Sequence, residues 1–342
     1  MLKRDDAFSM EIHDPDSMDN TQIIKVENIN DSLLLIFKEE SIYKLITADS
    51  TDPQKTQPDT GHTYEKIAAF GASSIYVARI FLQFKSIIDL VISEGPKKQS
   101  LLQQIWDLNE QLLVCAQLES NIREQLNDAV EKCANIIEKN KSGRSIPALP
   151  KIKNLENDAK FFLLTGKQFL IDCFKFISTL TELPLNPREE AHFEKHINWL
   201  EQNRPALHEL SSTLKNDLPW IRRLSECRNA IEHPGTGQTI TIENIKLLPG
   251  NKFSLPTWSY DLTKKIQVQE SSIPIHQDLD VYLNNMLYFL EEVLLHCISE
   301  KISSNRMFSL YQHDEADINP NCPILYYASL SAEFYSNLKP SK

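Results

Sequence analysis

The sequence predicts a mainly α-helical protein: a helical bundle with an inserted β hairpin, preceded by a long helical hairpin and a small N-terminal β or mixed segment. The chain has 342 residues but only 8 glycines, which disfavours glycine-rich β architectures. Its hydrophobic content of 41% is enough to bury a core. Several long stretches carry apolar residues at helical spacing. These three observations together favour the helical class.

Charge and cysteine content narrow the function classes. The net charge of -11 argues against nucleic-acid binding, because phosphate contacts need basic side chains, but most of the acidity lies in residues 1–60. The six cysteines contain no C-x-x-C pair, which indicates reduced core thiols. The acidic N-terminus lacks the apolar core of a signal peptide, and no apolar run is long enough to span a membrane. We therefore expect a cytoplasmic protein with no membrane partner.

Residues 1–60 are predicted to be an acidic N-terminal segment and linker. Three short apolar runs within it are separated by polar pairs, namely 23–29, 33–37 and 42–46. Such runs are typical of a small β meander, and a single helix over 32–46 fits nearly as well. Proline and glycine among polar residues over 50–61 indicate a linker.

Two long helical patterns predict a helical hairpin over residues 61–145. The first runs from Ile67 to Val91 and must stop at Gly95-Pro96. The second runs from Leu101 to Ile136 in alternating steps of four and three, with Glu119 as the only polar residue in the seam. This seam either closes the hairpin on itself or forms an intermolecular coiled coil.

A helical domain is predicted over residues 146–305, followed by a C-terminal tail over 306–342. Apolar periodicity predicts its helices over 155–180, 187–203 and 279–297. Alternating residues on either side of the turn Pro249-Gly250-Asn251 predict a β hairpin over 238–256.

One further helix of this domain carries the most informative cluster. It is expected to begin beside Pro219, with Asn216 or Asp217 as its cap, and to end at His233. Its apolar residues share one arc, and they are Leu218, Trp220, Ile221, Leu224, Cys227 and Ile231. Arg228 falls inside this arc, where a guanidinium is costly unless it is paired or lies at an interface.

Helical geometry also limits what this helix can do alone. Arg228 and His233 are five residues apart, about 140° around an ideal helix. One helix is therefore not expected to bring both side chains to one phosphate. Two copies of the helix crossing face to face would bring both pairs together, which predicts a homodimer.

The segment Arg228-Asn229-Ala230-Ile231-Glu232-His233 has the form R-x-x-x-x-H, in its R-N-x-x-x-H variant, at the end of a helix and just before a proline. It resembles the signature of the HEPN family of α-helical domains. The resemblance covers residues 150–300 and implies a HEPN-like helical bundle and obligate pairing of two such motifs. It also implies metal-independent endoribonuclease activity in toxin-antitoxin or antiphage systems.

Metal-independent RNA cleavage needs a base, an acid and a cation for the developing charge. We therefore expect His233 to act as acid or base, Arg228 to bind the phosphate and Asn229 to orient them by a hydrogen bond. Arg222 and Arg223 are expected to bind substrate. No cofactor or metal is expected, and the expected partners are RNA, a second copy of the chain and an antitoxin or regulatory protein.

A structural interpretation of the same residues is also open. Arg228 with Glu232, and Arg222 with Glu226, are spaced as i,i+4 salt bridges, and a histidine is favoured at a helix C-terminus. In that case the domain is a catalytically silent scaffold that dimerises or binds a partner.

Two other groups of residues have alternative interpretations. His192 and His196 are spaced i,i+4 beside Glu189 and Glu190, and they would hold a divalent metal if a third ligand came from elsewhere. A half-buried or solvated histidine pair is the simpler interpretation. Four aromatic residues would either stack on bases or belong to the core, and these are Trp199, Trp220, Trp258 and Tyr260.

Overall fold

The computed structural model describes residues 21–30, 33–93, 95–141, 143, 145–184, 193–303, 307–332 and 334. These residues are mainly helical, as predicted, with small antiparallel sheets. The chain divides into two compact units, one formed by Met1–Asn109 with Ile298–Lys342 and the other by Glu110–Cys297. The predicted domain boundary at residue 146 lies inside the second unit.

The elements follow one another in this order. The first half of the chain contains β1 (Ile23–Asn30), β2 (Leu33–Lys38), β3 (Ile42–Ile46), α1 (Ala48–Thr51), β4 (Thr63–Ala68), a π-helical turn (Val77–Leu82), α2 (Gln83–Val91), α3 (Pro96–Lys139) and α4 (Leu155–Thr181). The second half contains α5 (Phe193–Asn203), a 3-10 turn (Pro205–Leu207), α6 (His208–Glu232), β5 (Thr239–Glu243), β6 (Leu247–Leu248), β7 (Lys252–Phe253), β8 (Thr257–Asp261), β9 (Gln269–Pro274), α7 (Ile275–Ser303), β10 (Phe308–Gln312), a 3-10 turn (Glu315–Asp317) and β11 (Tyr326–Leu330).

The first unit contains a four-stranded antiparallel sheet in the order β1-β2-β3-β4. Ile36 pairs with Tyr43 across β2 and β3, and these two residues form a buried cluster with Leu45. The β meander predicted for this segment is therefore confirmed, and the alternative of one helix over 32–46 is wrong.

The helical pattern predicted to begin at Ile67 is wrong in its first part. Residues 63–68 form β4, which pairs with β3 so that Tyr64 lies opposite Leu45 and packs against the same buried cluster. Pairing with a neighbouring strand outweighs local helical spacing here, because strand preference depends on packing more than on the local sequence. The helical conformation begins at Ile75, so the first arm of the predicted hairpin is short.

The apolar seam of α3 is buried within the single chain, but Ala129 and Cys133 form a cluster with Ile245, outside the predicted hairpin, so the hairpin does not close on itself along the whole seam. Its buried members are Leu101, Ile105, Leu108, Leu112, Cys115, Ile122, Leu126, Ala129 and Cys133. Glu119 is also buried and accepts a hydrogen bond from Arg123, one turn later. Burial raises the pKa of the Glu119 carboxyl, the charge of Asp280 adds to that effect, and Arg123 opposes it.

The predicted C-terminal tail is also partly structured. Strands β10 and β11 pair in an antiparallel ladder. The side-chain oxygen of Gln83, in α2, accepts hydrogen bonds from the backbone N–H groups of Leu325 and Tyr326, each at 2.8 Å. These two bonds connect the start of β11 to α2 within the first unit, although the segment has no strong hydrophobic period.

In the second unit, α4 and α6 pack closely together. A Cβ atom at Gly166 of α4 would lie 3.1 Å from the Cδ1 atom of Leu224 on α6, so the absence of a side chain at Gly166 allows this approach. The contact places Lys167 next to Ser225, the residue after Leu224. The predicted helices over 155–180 and 279–297 are confirmed by α4 and α7, while α5 is described from Phe193 onward and its predicted start lies outside the described residues.

The helix that carries the motif is longer than predicted. It was expected to begin near Asp217, whereas α6 runs without a break from His208 to Glu232 with Pro219 inside it. Pro219 is exposed, so the backbone carbonyl that lacks its N–H partner faces water, where it can be hydrated. Asp217 does not cap a helix, and its carboxylate instead accepts a hydrogen bond from the Nε1 atom of Trp220 at 2.8 Å.

The predicted β hairpin over 238–256 has a different pairing. Strand β5 pairs with β8, with Ile242 opposite Trp258, and β8 pairs with β9 in a three-stranded sheet. The turn over 249–251 closes only the short ladder of β6 and β7. Pairing with β8 brings Trp258 and Tyr260 into the core, so tertiary burial sets the register.

Candidate ribonuclease motif at the end of the sixth helix

The motif lies where α6 ends. Helical hydrogen bonding continues to His233, whose backbone N–H donates to the carbonyl oxygen of Asn229 at 2.8 Å. His233 itself has left the helical conformation, with φ at -132° and ψ at 60°. Pro234 follows directly and cannot continue the helix. The motif therefore combines residues of the last helical turn with one residue of the cap.

Arg228 and His233 approach the same carboxylate oxygen. The guanidinium of Arg228 is in an ion pair with the Oε2 atom of Glu232, and the Nε2 atom of His233 lies 3.9 Å from that oxygen. The imidazole is 75% exposed, whereas the Arg228 and Glu232 side chains are 29% and 33% exposed. One negatively charged oxygen thus has a guanidinium in contact and an imidazole nearby, within one chain.

This arrangement corrects the expectation that a single helix cannot bring Arg228 and His233 together. The expected divergence of about 140° assumes that both residues follow the helical rotation. The φ of -132° at the cap residue departs from the helical value, so the His233 side chain does not follow that rotation. The geometric reason for requiring a second chain therefore does not hold.

Asn229 connects Arg228 to Glu226, in the preceding turn of α6. Its side-chain oxygen accepts a hydrogen bond from the Nη1 atom of Arg228 at 3.3 Å, and its Nδ2 atom donates to the Oε1 atom of Glu226 at 3.2 Å. The second oxygen of Glu226 is buried and has no hydrogen-bond partner within the described residues. Asn229 thus contacts Arg228, as the orienting role requires.

The other two predicted arginines lie in different surroundings. Arg222 forms an ion pair with Glu194 of α5, and not the predicted i,i+4 pair with Glu226. Arg223 is directed inward, where its Nε atom donates to the hydroxyl of Tyr282 at 2.7 Å and its Nη2 atom donates to Asp278 at 2.8 Å. Burial acts to lower the pKa of the Arg223 guanidinium, but Tyr282 and Asp278 together outweigh it, so the pKa is raised. The structure therefore does not place Arg223 with the motif residues.

A cavity of about 460 Å³ lies beside the motif, between α4, α5, α6 and the segment after β8. Asn229, Glu226 and Arg222 line it from α6, and Lys167 lines it from α4. Lys167 was not among the predicted site residues. The apolar stretch over 155–180 contains three lysines, Lys160, Lys167 and Lys175, and the sequence does not indicate which of them faces another helix.

Lys167 is an unusual cation in this cavity. Its Nζ atom donates a hydrogen bond to the hydroxyl of Ser225 at 2.9 Å, and within the described residues it is in no ion pair. Burial and, to a smaller extent, the positive charge of Arg228 lower the pKa of Lys167 to about 8, while the charge of Glu226 acts in the opposite direction. The amine thus lies near the Glu226 carboxylate but is in no ion-pair contact within the described residues.

The alternative histidine pair receives only partial description. His192, Glu189 and Glu190 lie outside the described residues, while His196 is buried and packs edge-on against Phe174. Among the residues described, no group of three or more His, Cys, Asp or Glu side chains is placed to bind a metal ion.

The aromatic residues considered for base stacking fall into two groups. Trp258 and Tyr260 belong to the core, whereas Trp199 and Trp220 are partly exposed. Trp220 also packs edge-on against Phe289. The core interpretation is therefore confirmed for Trp258 and Tyr260.

Comparisons of the chain with protein-family models, curated proteins and solved structures give no match. In the part of the chain that the structure describes, no helix combines the length and the apolar character needed to cross a membrane.

Proposed function

We propose that this chain is a metal-independent endoribonuclease of the HEPN type. The observation that supports it most directly is the approach of Arg228 and His233 to one carboxylate oxygen of Glu232. A phosphate oxygen has similar charge and hydrogen-bonding capacity, so it would be bound by the same two groups. In this proposal the phosphate displaces the Glu232 carboxylate, Arg228 binds the phosphate and Asn229 holds the guanidinium.

The reaction follows from these roles. A base removes the proton of the 2′-hydroxyl, the 2′-oxygen attacks phosphorus, the bond from phosphorus to the 5′-oxygen breaks, and an acid protonates that oxygen. The product is a 2′,3′-cyclic phosphate. His233 serves as one of these proton-transfer groups because an imidazole exchanges protons near neutral pH. The guanidinium of Arg228 stabilises the charge that develops on the phosphorane.

A second proton-transfer group is needed, and we propose that a homodimer supplies it through His233 of the partner subunit. Light scattering on the full chain at micromolar concentration should then give about twice the chain mass of 39.3 kDa. The His233→Ala variant should give the same mass, because the imidazole is exposed and is proposed to act on substrate. A monomer over the whole concentration range would contradict the composite site.

Glu232 offers a direct test of the proposed phosphate position. Replacing it by glutamine (Glu232→Gln) removes the carboxylate that pairs with Arg228. A partly exposed pair of this kind contributes about 0.2–1 kcal/mol, so an oligonucleotide should bind up to about five-fold more tightly. A 2′-deoxy oligonucleotide is the suitable probe for fluorescence anisotropy, since it cannot be cleaved through a 2′-oxygen.

The matched control for this test is Glu243→Gln. Glu243 also forms an exposed ion pair, with Lys246, but lies on β5 and outside the motif. The control changes the net charge equally, so it should reveal any general electrostatic gain. Equal effects of the two substitutions, or weaker binding by Glu232→Gln, would contradict the proposed phosphate position.

The ion pair between Arg228 and Glu232 also supports a second candidate function, a catalytically silent scaffold of the same type. In that case the pair and the capping histidine stabilise the end of α6. Incubation of the purified chain with RNA in EDTA distinguishes the two candidates, because only the proposed ribonuclease produces cleavage. The toxin-antitoxin or antiphage setting, and an antitoxin or regulatory partner, belong to the same proposal through the resemblance alone.

A further inference from the structure

The cavity next to the motif has the size and lining of a ligand site. Its volume of about 460 Å³ lies within the range of roughly 300–1,000 Å³ that small-molecule sites occupy. Asn229 lines it and also contacts Arg228, so the cavity adjoins the proposed phosphate position. A ligand seated in it would be adjacent to the groups that are proposed to act on RNA.

The charged residues of the cavity favour an anion. Three cations and two carboxylates line it, which are Lys167, Arg222, Lys265, Glu194 and Glu226. Arg222 is paired with Glu194, while Lys167 and Lys265 are in no ion pair within the described part of the chain. Lys167 is the more deeply placed of these two, and the nearby Glu226 accepts a hydrogen bond from Asn229 and is in no ion pair with Lys167. A half-buried ammonium group without an ion-pair contact is stabilised by an anionic ligand.

Beside the polar Ser225 and Asn229, the cavity also has apolar lining, which a simple anion does not need. Ile171, Leu218 and Ile266 contribute partly exposed aliphatic surface, while Ile221 and Phe193 are buried. Such a surface packs against a planar ring and removes it from water. The combination of unpaired lysines with an apolar wall fits a ligand that has both a phosphate group and a ring.

We propose that this cavity binds one nucleotide of the RNA substrate, next to the cleaved phosphate, with Lys167 and Lys265 at its phosphate and the apolar wall against its base. The proposal rests on the function proposed above. The shared chemistry is a nucleoside phosphate, which is supplied either by an RNA chain or by a free mononucleotide, and the experiment distinguishes these two sources.

The experiment measures binding by titration calorimetry on the full chain at neutral pH. The probes are the four nucleoside monophosphates, the corresponding nucleosides, inorganic phosphate and a short 2′-deoxy oligonucleotide. The proposal requires monophosphates to bind more tightly than either nucleosides or inorganic phosphate. If the oligonucleotide binds at least about ten-fold more tightly than the best monophosphate, the nucleotide is part of an RNA chain. If the oligonucleotide and the best monophosphate bind equally tightly, the ligand is a free mononucleotide and the assignment to the RNA substrate is overturned.

The decisive variant is Lys167→Met, which keeps the apolar stem and removes the charge. Loss of a charge-assisted contact should weaken monophosphate binding by about ten-fold. Lys160→Met is the matched control, because Lys160 is also on α4 but pairs with Glu156, and it should bind like the unchanged chain. Lys265→Gln, at an exposed position, gives a second test that does not depend on a buried residue.

The outcomes separate this inference from the function on which it rests. Equal nucleotide binding by Lys167→Met and the unchanged chain, or no nucleotide binding at all, overturns the cavity assignment. Nucleotide binding that depends on Lys167 in a chain that cuts no RNA leaves the cavity as a nucleotide site and contradicts the ribonuclease proposal. RNA cleavage at an unchanged rate by Lys167→Met overturns the assignment of the cavity to an RNA nucleotide and leaves the ribonuclease proposal in place.

Discussion

Replacement of His233 by alanine is expected to abolish RNA cleavage and leave the fold unchanged. A positioned proton-transfer group contributes about 10²–10⁴-fold to a rate, so the cleavage rate should fall by at least the lower figure. The His233 imidazole is 75% exposed, and its cap interaction with Asn229 uses the backbone N–H, which alanine keeps. The free energy of unfolding should therefore change by no more than about 0.5 kcal/mol.

The matched control for this prediction is His208→Ala, at the opposite end of the same helix. His208 is exposed, so its removal should alter neither cleavage nor stability. Cleavage is followed with a labelled RNA in EDTA, and mass spectrometry should identify 2′,3′-cyclic phosphate ends. Cleavage that persists in His233→Ala would remove His233 from the mechanism. Cleavage that requires Mg²⁺ or Zn²⁺ would instead favour the pair of His192 and His196.

Elements with a long and uninterrupted apolar period could be predicted from the sequence. The α4 and α7 helices are examples, because their buried residues recur at helical spacing throughout. The start of α6 was not predictable in this way. A proline is expected to begin a helix, and only the structure shows that Pro219 is exposed, where a missing backbone hydrogen bond is tolerated.

The strands required information from distant parts of the chain. Residues 63–68 carry part of a helical pattern, yet they pair with β3 because Tyr64 can then pack against the first unit's buried cluster. The sequence around 249–251 correctly indicates a turn, but not which strands it joins. The burial of Trp258 and Tyr260 decides that pairing, and burial of this kind depends on residues far apart in the chain.

In the candidate site, too, some features follow from the local sequence and others depend on contacts between distant residues. The resemblance to the HEPN signature is what implies that Arg228, Asn229 and His233 act together. Helical spacing instead predicted that Arg228 and His233 diverge, which the cap conformation of His233 corrects. Lys167 was missed because it joins the site through contact between two helices, at the glycine that lets α4 approach α6.

Arg223 provides the second large expected effect, on stability. Asp278 accepts hydrogen bonds from Arg223 at 2.8 Å and from the Nε1 atom of Trp258 at 3.0 Å, and its side chain is only 7% exposed. Asp278→Ala would leave both donors buried without this acceptor. Removing one partner of a buried ion pair costs about 3–5 kcal/mol, so the free energy of unfolding should fall by that amount. Urea denaturation followed by circular dichroism measures this change, with exposed Gln277 replaced by alanine as the control on the same helix.

The paired replacement Arg223→Met with Asp278→Leu decides what kind of interaction this is. Burial raises the pKa of the Asp278 carboxyl although the charge of Arg223 acts to lower it. Desolvation of the carboxyl therefore outweighs its attraction to Arg223. The stability that the raised pKa contributes is present at low pH and is lost as the pH rises through that pKa. Removing one partner of such a buried ion pair is costly, whereas replacing both partners by apolar residues is not. The double variant should therefore be more stable than Asp278→Ala. Its RNA cleavage should be retained, because Arg223 faces Asp278 and Tyr282 and not the motif. Weaker RNA binding by Arg223→Met with an unchanged unfolding midpoint would contradict this assignment and restore the substrate-binding role predicted for Arg223.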